Sequence, residues 1–88
     1  MPIVWIPSLL RDLTAGNERV VVPGSTVGEI IHALDQAYPG VAECLCDAGT
    51  LRSAIAVVVD NQIARKGLDE PVAEKSEVHF LPAISGGS

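Results

Sequence analysis

Two adjacent glycines, Gly86 and Gly87, stand beside the end of the chain, and their position suggests chemistry. Glycine loses more backbone entropy on ordering than any other residue, so a pair in this place cannot stabilise a fold. From Pro82 onward there is no charge and no hydrophobic periodicity. The segment therefore predicts a projecting tail. A tail without Cβ atoms can thread a narrow enzyme channel. A terminal carboxylate is a poor electrophile at neutral pH, but adenylation by ATP would convert it to an acyl-phosphate anhydride. A sulfur nucleophile could then displace AMP and leave a C-terminal thiocarboxylate, with the catalysis supplied by other enzymes. Polar, glycine-rich ends also occur as frayed termini, so tail composition alone does not decide between the two readings.

The other residues capable of chemistry form no constellation. Cys44 and Cys46 are separated by one residue, and a bond between them would close a very tight loop. A structural zinc site takes four ligands, and His32 and His79 lie on other elements without matching spacing. Two cysteines also exclude a four-cysteine iron–sulfur cluster. The sequence predicts incidental reduced thiols, no metal and no bound cofactor. Ser-His-Asp groupings, paired carboxylates and a glycine-rich phosphate loop are all missing, so no catalytic residue is expected. His32 is expected to face solvent, and His79 to line the exposed face of the last strand.

The bulk numbers set the frame. With 88 residues the chain suffices for one domain, and 48% apolar content supplies a core that must be aliphatic, since only Trp5, Tyr38 and Phe80 are aromatic. A net charge of −5 opposes binding to nucleic acid or anionic lipid and suits docking on a basic surface of a protein partner. Neither a leader-like segment nor an apolar run of bilayer length is present, which predicts a cytoplasmic protein.

The elements that must carry the tail can be read in order. Ile3 to Ile6, flanked by prolines, reads as a strand, and Arg19 to Val22 as its hairpin partner. Leu9, Leu10 and Leu13 suggest a helical turn between them. Thr26 and Glu29 have capping-box spacing, and Val27, Ile30, Ile31, Leu34 and Tyr38 form one helical stripe ended by Pro39-Gly40. Val41 to Asp47 predicts an irregular helical turn. Ile55 to Val59 reads as an interior strand, Asp60-Asn61 as a turn, and Ile63 to Arg65 as a short edge strand whose basic residues guard it against pairing. Glu77 to Leu81 is the last strand, with Val78 and Phe80 on one face. One amphipathic helix packed on a sheet with one apolar face is the natural solution. The reading divides the chain into a domain, residues 1–82, and a flexible tail, residues 83–88.

Several of these segments resemble one family. Thr26-Val27-Gly28-Glu29-Ile30-Ile31, then Leu34 and Tyr38-Pro39-Gly40, resembles the helix of the β-grasp sulfur carriers. That family includes the small subunit of molybdopterin synthase and the carriers of thiamine and cysteine synthesis. Leu51-Arg52, Gly67-Leu68-Asp69 and Pro71-Val72 are similar to the same family, as is the ending Glu77 to Ile84 followed by Gly86-Gly87. The opening, Ile6 to Arg11 with Thr14 and Gly16, resembles the amino-acid-biosynthesis carriers more than the molybdopterin branch.

The resemblance implies an α+β, ubiquitin-like β-grasp fold, a mixed sheet of four to five strands on one main helix. It implies a sulfur carrier in which Gly87 is adenylated and converted to a thiocarboxylate, and Gly86 serves threading. Its partners would be a ubiquitin-activating-type adenylating enzyme that uses ATP, a sulfur donor or sulfurtransferase, and an acceptor synthase. Ser88 departs from the family's Gly-Gly end and blocks the carboxylate. Either a zinc-dependent peptidase removes it or it is a remnant of cloning; the precursor reading is preferred. The alternatives are a ubiquitin-like modifier conjugated through Gly87, the small subunit of molybdopterin synthase, and a non-covalent binding module.

Overall fold

A computed structural model describes residues 1–82. Strand β1 (Ile3–Trp5) pairs antiparallel with β2 (Arg19–Val21), and between them Ser8–Leu10 forms a single 3-10 turn. That turn buries only Leu10, leaving Leu9 and Leu13 exposed. Helix α1 (Val27–Ala37) follows, then a short helix α2 (Val41–Leu45). Strands β5 (Ile55–Val59), β6 (Gln62–Ile63) and β7 (Glu77–Pro82) complete a five-stranded sheet in the order β2-β1-β7-β5-β6. All its pairs are antiparallel except β1 with β7, so the sheet is mixed, as expected.

The predicted stripe of α1 is the centre of the core. Val27, Ile30, Ile31 and Leu34 are buried, and Val4, Val57, Val78 and Phe80 from the sheet are buried with them. Each such side chain contributes roughly 1.5–3 kcal/mol on leaving water. The stripe ends at Tyr38, which caps the helix and is only half-buried, because the chain turns away at Pro39-Gly40.

The cap of α1 differs from the expected reciprocal box. Thr26 Oγ1 accepts the Glu29 amide at 3.2 Å, but the Glu29 carboxylate reaches one residue further back, accepting from the Ser25 amide at 2.8 Å. Thr26 is tied across to Pro71, with Val27 N–H donating to the Glu70 carbonyl and Val72 N–H to the Ser25 carbonyl, which sets the entry path of the chain.

Two other expectations are corrected. Residues 46–51 hold a hairpin that the sequence reading missed, β3 (Cys46–Asp47) with β4 (Thr50–Leu51), closed by Ala48 and Gly49 at φ 54° and 82°. A non-glycine residue at positive φ is uncommon, so Ala48 carried no turn signal. The edge strand also begins one residue earlier than expected and ends at Ile63, two residues short of Arg65. Ala64 N–H still donates to the Val57 carbonyl, but the Arg65 and Lys66 amides both donate to Glu70 Oε1, which takes them out of the ladder.

Candidate functional site

The tail belongs to whichever strand precedes it, and that strand is β7, the middle of the five. Its last residue, Pro82, pairs with Ile55, so the chain leaves the sheet at the end where β5 begins and β1 finishes. Gly86, Gly87 and Ser88, with the rest of the proposed tail, lie outside the described residues. What the structure does show is the surface from which that tail departs.

Strand alternation divides β7 cleanly. Val78 and Phe80 point into the core, leaving Glu77, His79 and Leu81 on the outer face of the sheet. The register places Arg19, Trp5, His79, Val58 and Ile63 in one row across all five strands. Trp5 and His79 stack with centroids 5.6 Å apart and planes 8° from parallel. Arg19 lies on β2 with its guanidinium carbon 5.8 Å from the centroid of the Trp5 ring. The indole N–H donates to Glu77 Oε1 at 3.0 Å, which uses its one polar group. Around this row Val21, Ile63 and Leu81 are 53%, 68% and 46% exposed. Among the described residues no helix covers this side, since α1 packs on the opposite face with Val4, Val57, Val78 and Phe80. The result is a largely apolar surface that begins at the tail exit and spreads across the sheet, the pattern of a protein-docking face.

The sequence reading placed His79 on the exposed face, and it is there, half-buried against Trp5. Trp5, half-buried, lies on the same face. Val21 and Ile63 were not recognised as surface residues. Alternation along each strand held the signal, but only the register shows that the outward residues of separate strands meet.

The remaining candidates stay apart. His32 is exposed on α1. Cys44 and Cys46 are free, half-buried thiols at the junction of α2 and β3. Burial pushes the Cys46 thiol up from its ordinary value, with Arg52 acting weakly in the other direction. Among the described residues no three His, Cys, Asp or Glu side chains converge as a metal would require. None of the described helices is long and apolar enough to cross a membrane.

A mixed five-stranded sheet wrapped on one main helix defines the β-grasp, ubiquitin-like class. Comparison with known proteins carries this further. Residues 4–87 match the ThiS family, and the chain belongs to it. It is similar to the sulfur carrier protein CysO of Mycobacterium tuberculosis, with 35% identity covering 96% of each chain. Among solved structures, the Amycolatopsis orientalis BexX/CysO complex superposes with a TM-score of 0.91 at 32% identity, over 99% of this chain and 100% of that one. The small archaeal modifier protein SAMP1 of Haloferax volcanii superposes with a TM-score of 0.73 at 31% identity, over 98% of both chains.

Proposed function

We propose that this protein is a sulfur carrier, a substrate of its partner enzymes rather than a catalyst. The observation that carries the reading is the extent of the family match, which runs to residue 87, the second glycine. Once Ser88 is removed, by a zinc-dependent peptidase in this scheme, the Gly87 carboxylate attacks the α-phosphate of ATP on an adenylating enzyme and releases pyrophosphate. Sulfide-level sulfur then attacks the acyl carbon, AMP leaves, and the terminus becomes a thiocarboxylate. Gly86 lets the chain thread the enzyme, and the sheet face described above holds the body in place meanwhile. An acceptor synthase takes the sulfur in a later step. ATP is consumed by the enzyme, and the carrier needs no cofactor of its own.

Intact mass spectrometry tests this. The chain ending at Gly87, incubated with the adenylating enzyme of the same genome, ATP and sulfide, should gain the mass of one oxygen-to-sulfur exchange. The 88-residue chain should not change. The similarity to SAMP1, named a modifier, supports a second reading in which a lysine amine takes the place of sulfide. High-mass adducts through Gly87 would favour that reading, and an unmodified terminus under all these conditions would refute both.

A further inference from the structure

Proline is out of place in the middle strand of a sheet, because it cannot donate to a ladder and is ordinarily confined to edges, first positions and bulges. Yet β7 lies at the centre of the five strands and ends on Pro82. The register of β1 against β7 shows how it is accommodated. Ile3 N–H donates to the Ser76 carbonyl at 3.0 Å, which fixes the phase of the parallel ladder. Ile3 and Trp5 turn their backbone groups toward β7, while Ile6 N–H points the other way, to the Glu18 carbonyl. Continued by two residues, this register sets Pro7 opposite Leu81. The rung there needs the residue 7 amide to donate to the Phe80 carbonyl and the residue 82 amide to donate to the residue 7 carbonyl. Both positions are proline, so neither bond can form. The Pro7 carbonyl instead accepts Leu10 N–H at 2.9 Å in the 3-10 turn. A cleft of about 210 Å³, whose walls include Pro7, Phe80 and Leu81, opens where the rung is missing. On its other side β7 stays paired to the end, Leu81 with Ala56 and Pro82 with Ile55.

We propose that Pro7 and Pro82 are matched positioning residues that release the tail: together they withdraw both donors of the rung that would otherwise anneal its base to the end of β1. The proposal rests on the sulfur-carrier reading, in which Gly87 must leave the body to enter an enzyme. Unpaired backbone groups beside a strand are a template on which an extended segment continues the ladder. A β1 end with its donor intact would therefore draw the chain along the sheet instead of letting it depart. One proline would remove one bond and leave the other; the pair removes the rung. Over Leu81 and Pro82 the strand is then held by β5 alone. That arrangement keeps β7 anchored in the sheet while ending its commitment to β1 one step before the tail.

Amide hydrogen exchange on the full 88-residue chain tests the ladder, and sulfur transfer to the chain ending at Gly87 tests its use. In a Pro7→Ala, Pro82→Ala double variant, the new amides at positions 7 and 82 should exchange about tenfold more slowly than in an unstructured peptide, as members of a restored rung. Thiocarboxylate formation by the adenylating enzyme of the same genome should fall about tenfold in kcat/KM, because the rung must break before the tail can leave. A semisynthetic chain with N-methylalanine at position 82 lacks the donor, as proline does, but not the ring's stiffness. It should restore the transfer that Pro82→Ala loses. Each single variant restores one bond and is read in the same way if the double variant does not fold. Unprotected amides at these positions in the folded variants would overturn the proposal. So would protected amides with transfer unchanged, or an N-methylalanine chain as slow as Pro82→Ala. If the unaltered chain gains no sulfur, the sulfur-carrier reading fails, and the exchange rates still decide whether the two prolines end the ladder.

Discussion

Trp5 and His79 stack side by side on adjacent parallel strands, 5.6 Å between ring centroids, on the sheet face next to the tail exit. The pair does two jobs. It stitches β1 to β7, where β7 must be held firmly if it is to aim a tail. It also offers a flat, rigid platform at the middle of the cross-sheet row. An aromatic pair of this kind adds about 0.5–1.5 kcal/mol beyond its area burial. His79→Ala should therefore lower the unfolding free energy by about 1 kcal/mol in urea titrations. Its effect on binding the adenylating enzyme should be larger, because centrally placed aromatic contacts dominate interfaces. A variant that loses stability but binds normally would show that the stack is only structural.

Asp60 makes the carboxylate contact that should govern the acid side of the stability curve. Its Oδ2 accepts the Ser76 hydroxyl at 2.6 Å and its Oδ1 accepts the Glu77 amide at 2.9 Å, tying the β5–β6 turn to the start of β7. The Ser76 hydroxyl first, and the Glu77 amide second, hold the Asp60 carboxyl below its ordinary value of 3.8. A depressed folded value means the ionised form favours folding. That contribution is complete above the unfolded value of about 3.8 and is lost as pH falls through the lower folded value. Asp60→Asn keeps a residue that tolerates φ 51° and removes the charge. It should lower stability at neutral pH and flatten the loss of stability below pH 4, measured as urea unfolding across a pH series.

Ser76 is the other half of that contact and is 2% exposed. Its oxygen also accepts the Ala73 amide at 2.9 Å. Ser76→Ala leaves that amide without its acceptor and should cost about 1–3 kcal/mol, the penalty for an unsatisfied buried group. A cost well below that range would mean water replaces the hydroxyl.

Much of this architecture was legible in the residues. The stripe Val27, Ile30, Ile31, Leu34 identified α1, and Asp60-Asn61 identified a turn in which both residues do adopt positive φ. Alternation placed Val78 and Phe80 inside and His79 outside. The β3–β4 hairpin escaped because each strand is two residues long, too short for periodicity, and Ala48 has no preference for the conformation it takes. Glu29 was expected to reach the Thr26 amide but accepts from Ser25 instead, and the Thr26–Pro71 bridge beside it joins residues 45 apart in the chain, which no local pattern reports. The docking face was hidden for a similar reason. Arg19, Trp5, His79, Val58 and Ile63 come from five separate strands, and only the register between them aligns the row.

The two cysteines should prove dispensable. Burial holds Cys46 in its protonated form, and a protonated thiol is a poor nucleophile. Neither thiol lies on the face beside the tail exit. Iodoacetamide should therefore label Cys46 more slowly at neutral pH than a free thiol of ordinary value, and a Cys44→Ser, Cys46→Ser double variant should still acquire the thiocarboxylate. Loss of sulfur transfer in a folded double variant would mean that a thiol takes part in the chemistry, and the tail would no longer account for it alone.

The tail residues should behave in the opposite way, silent in folding and decisive in transfer. The buried core of the described domain runs no further than Phe80, and Gly86 has no side chain to add to a core. Gly86→Val should therefore leave the urea midpoint unchanged. A β-branched side chain in a channel shaped for bare backbone both adds bulk and stiffens the chain. Thiocarboxylate formation on a chain ending at Gly87 should accordingly fall by about a hundredfold, the scale of loss when reacting atoms are displaced by an ångström. Binding of the body to the adenylating enzyme should stay close to normal, since the sheet face is untouched. If Gly86→Val transfers sulfur at the unaltered rate, threading is not the role of that glycine. If it instead destabilises the fold, the boundary between body and tail lies later than Pro82.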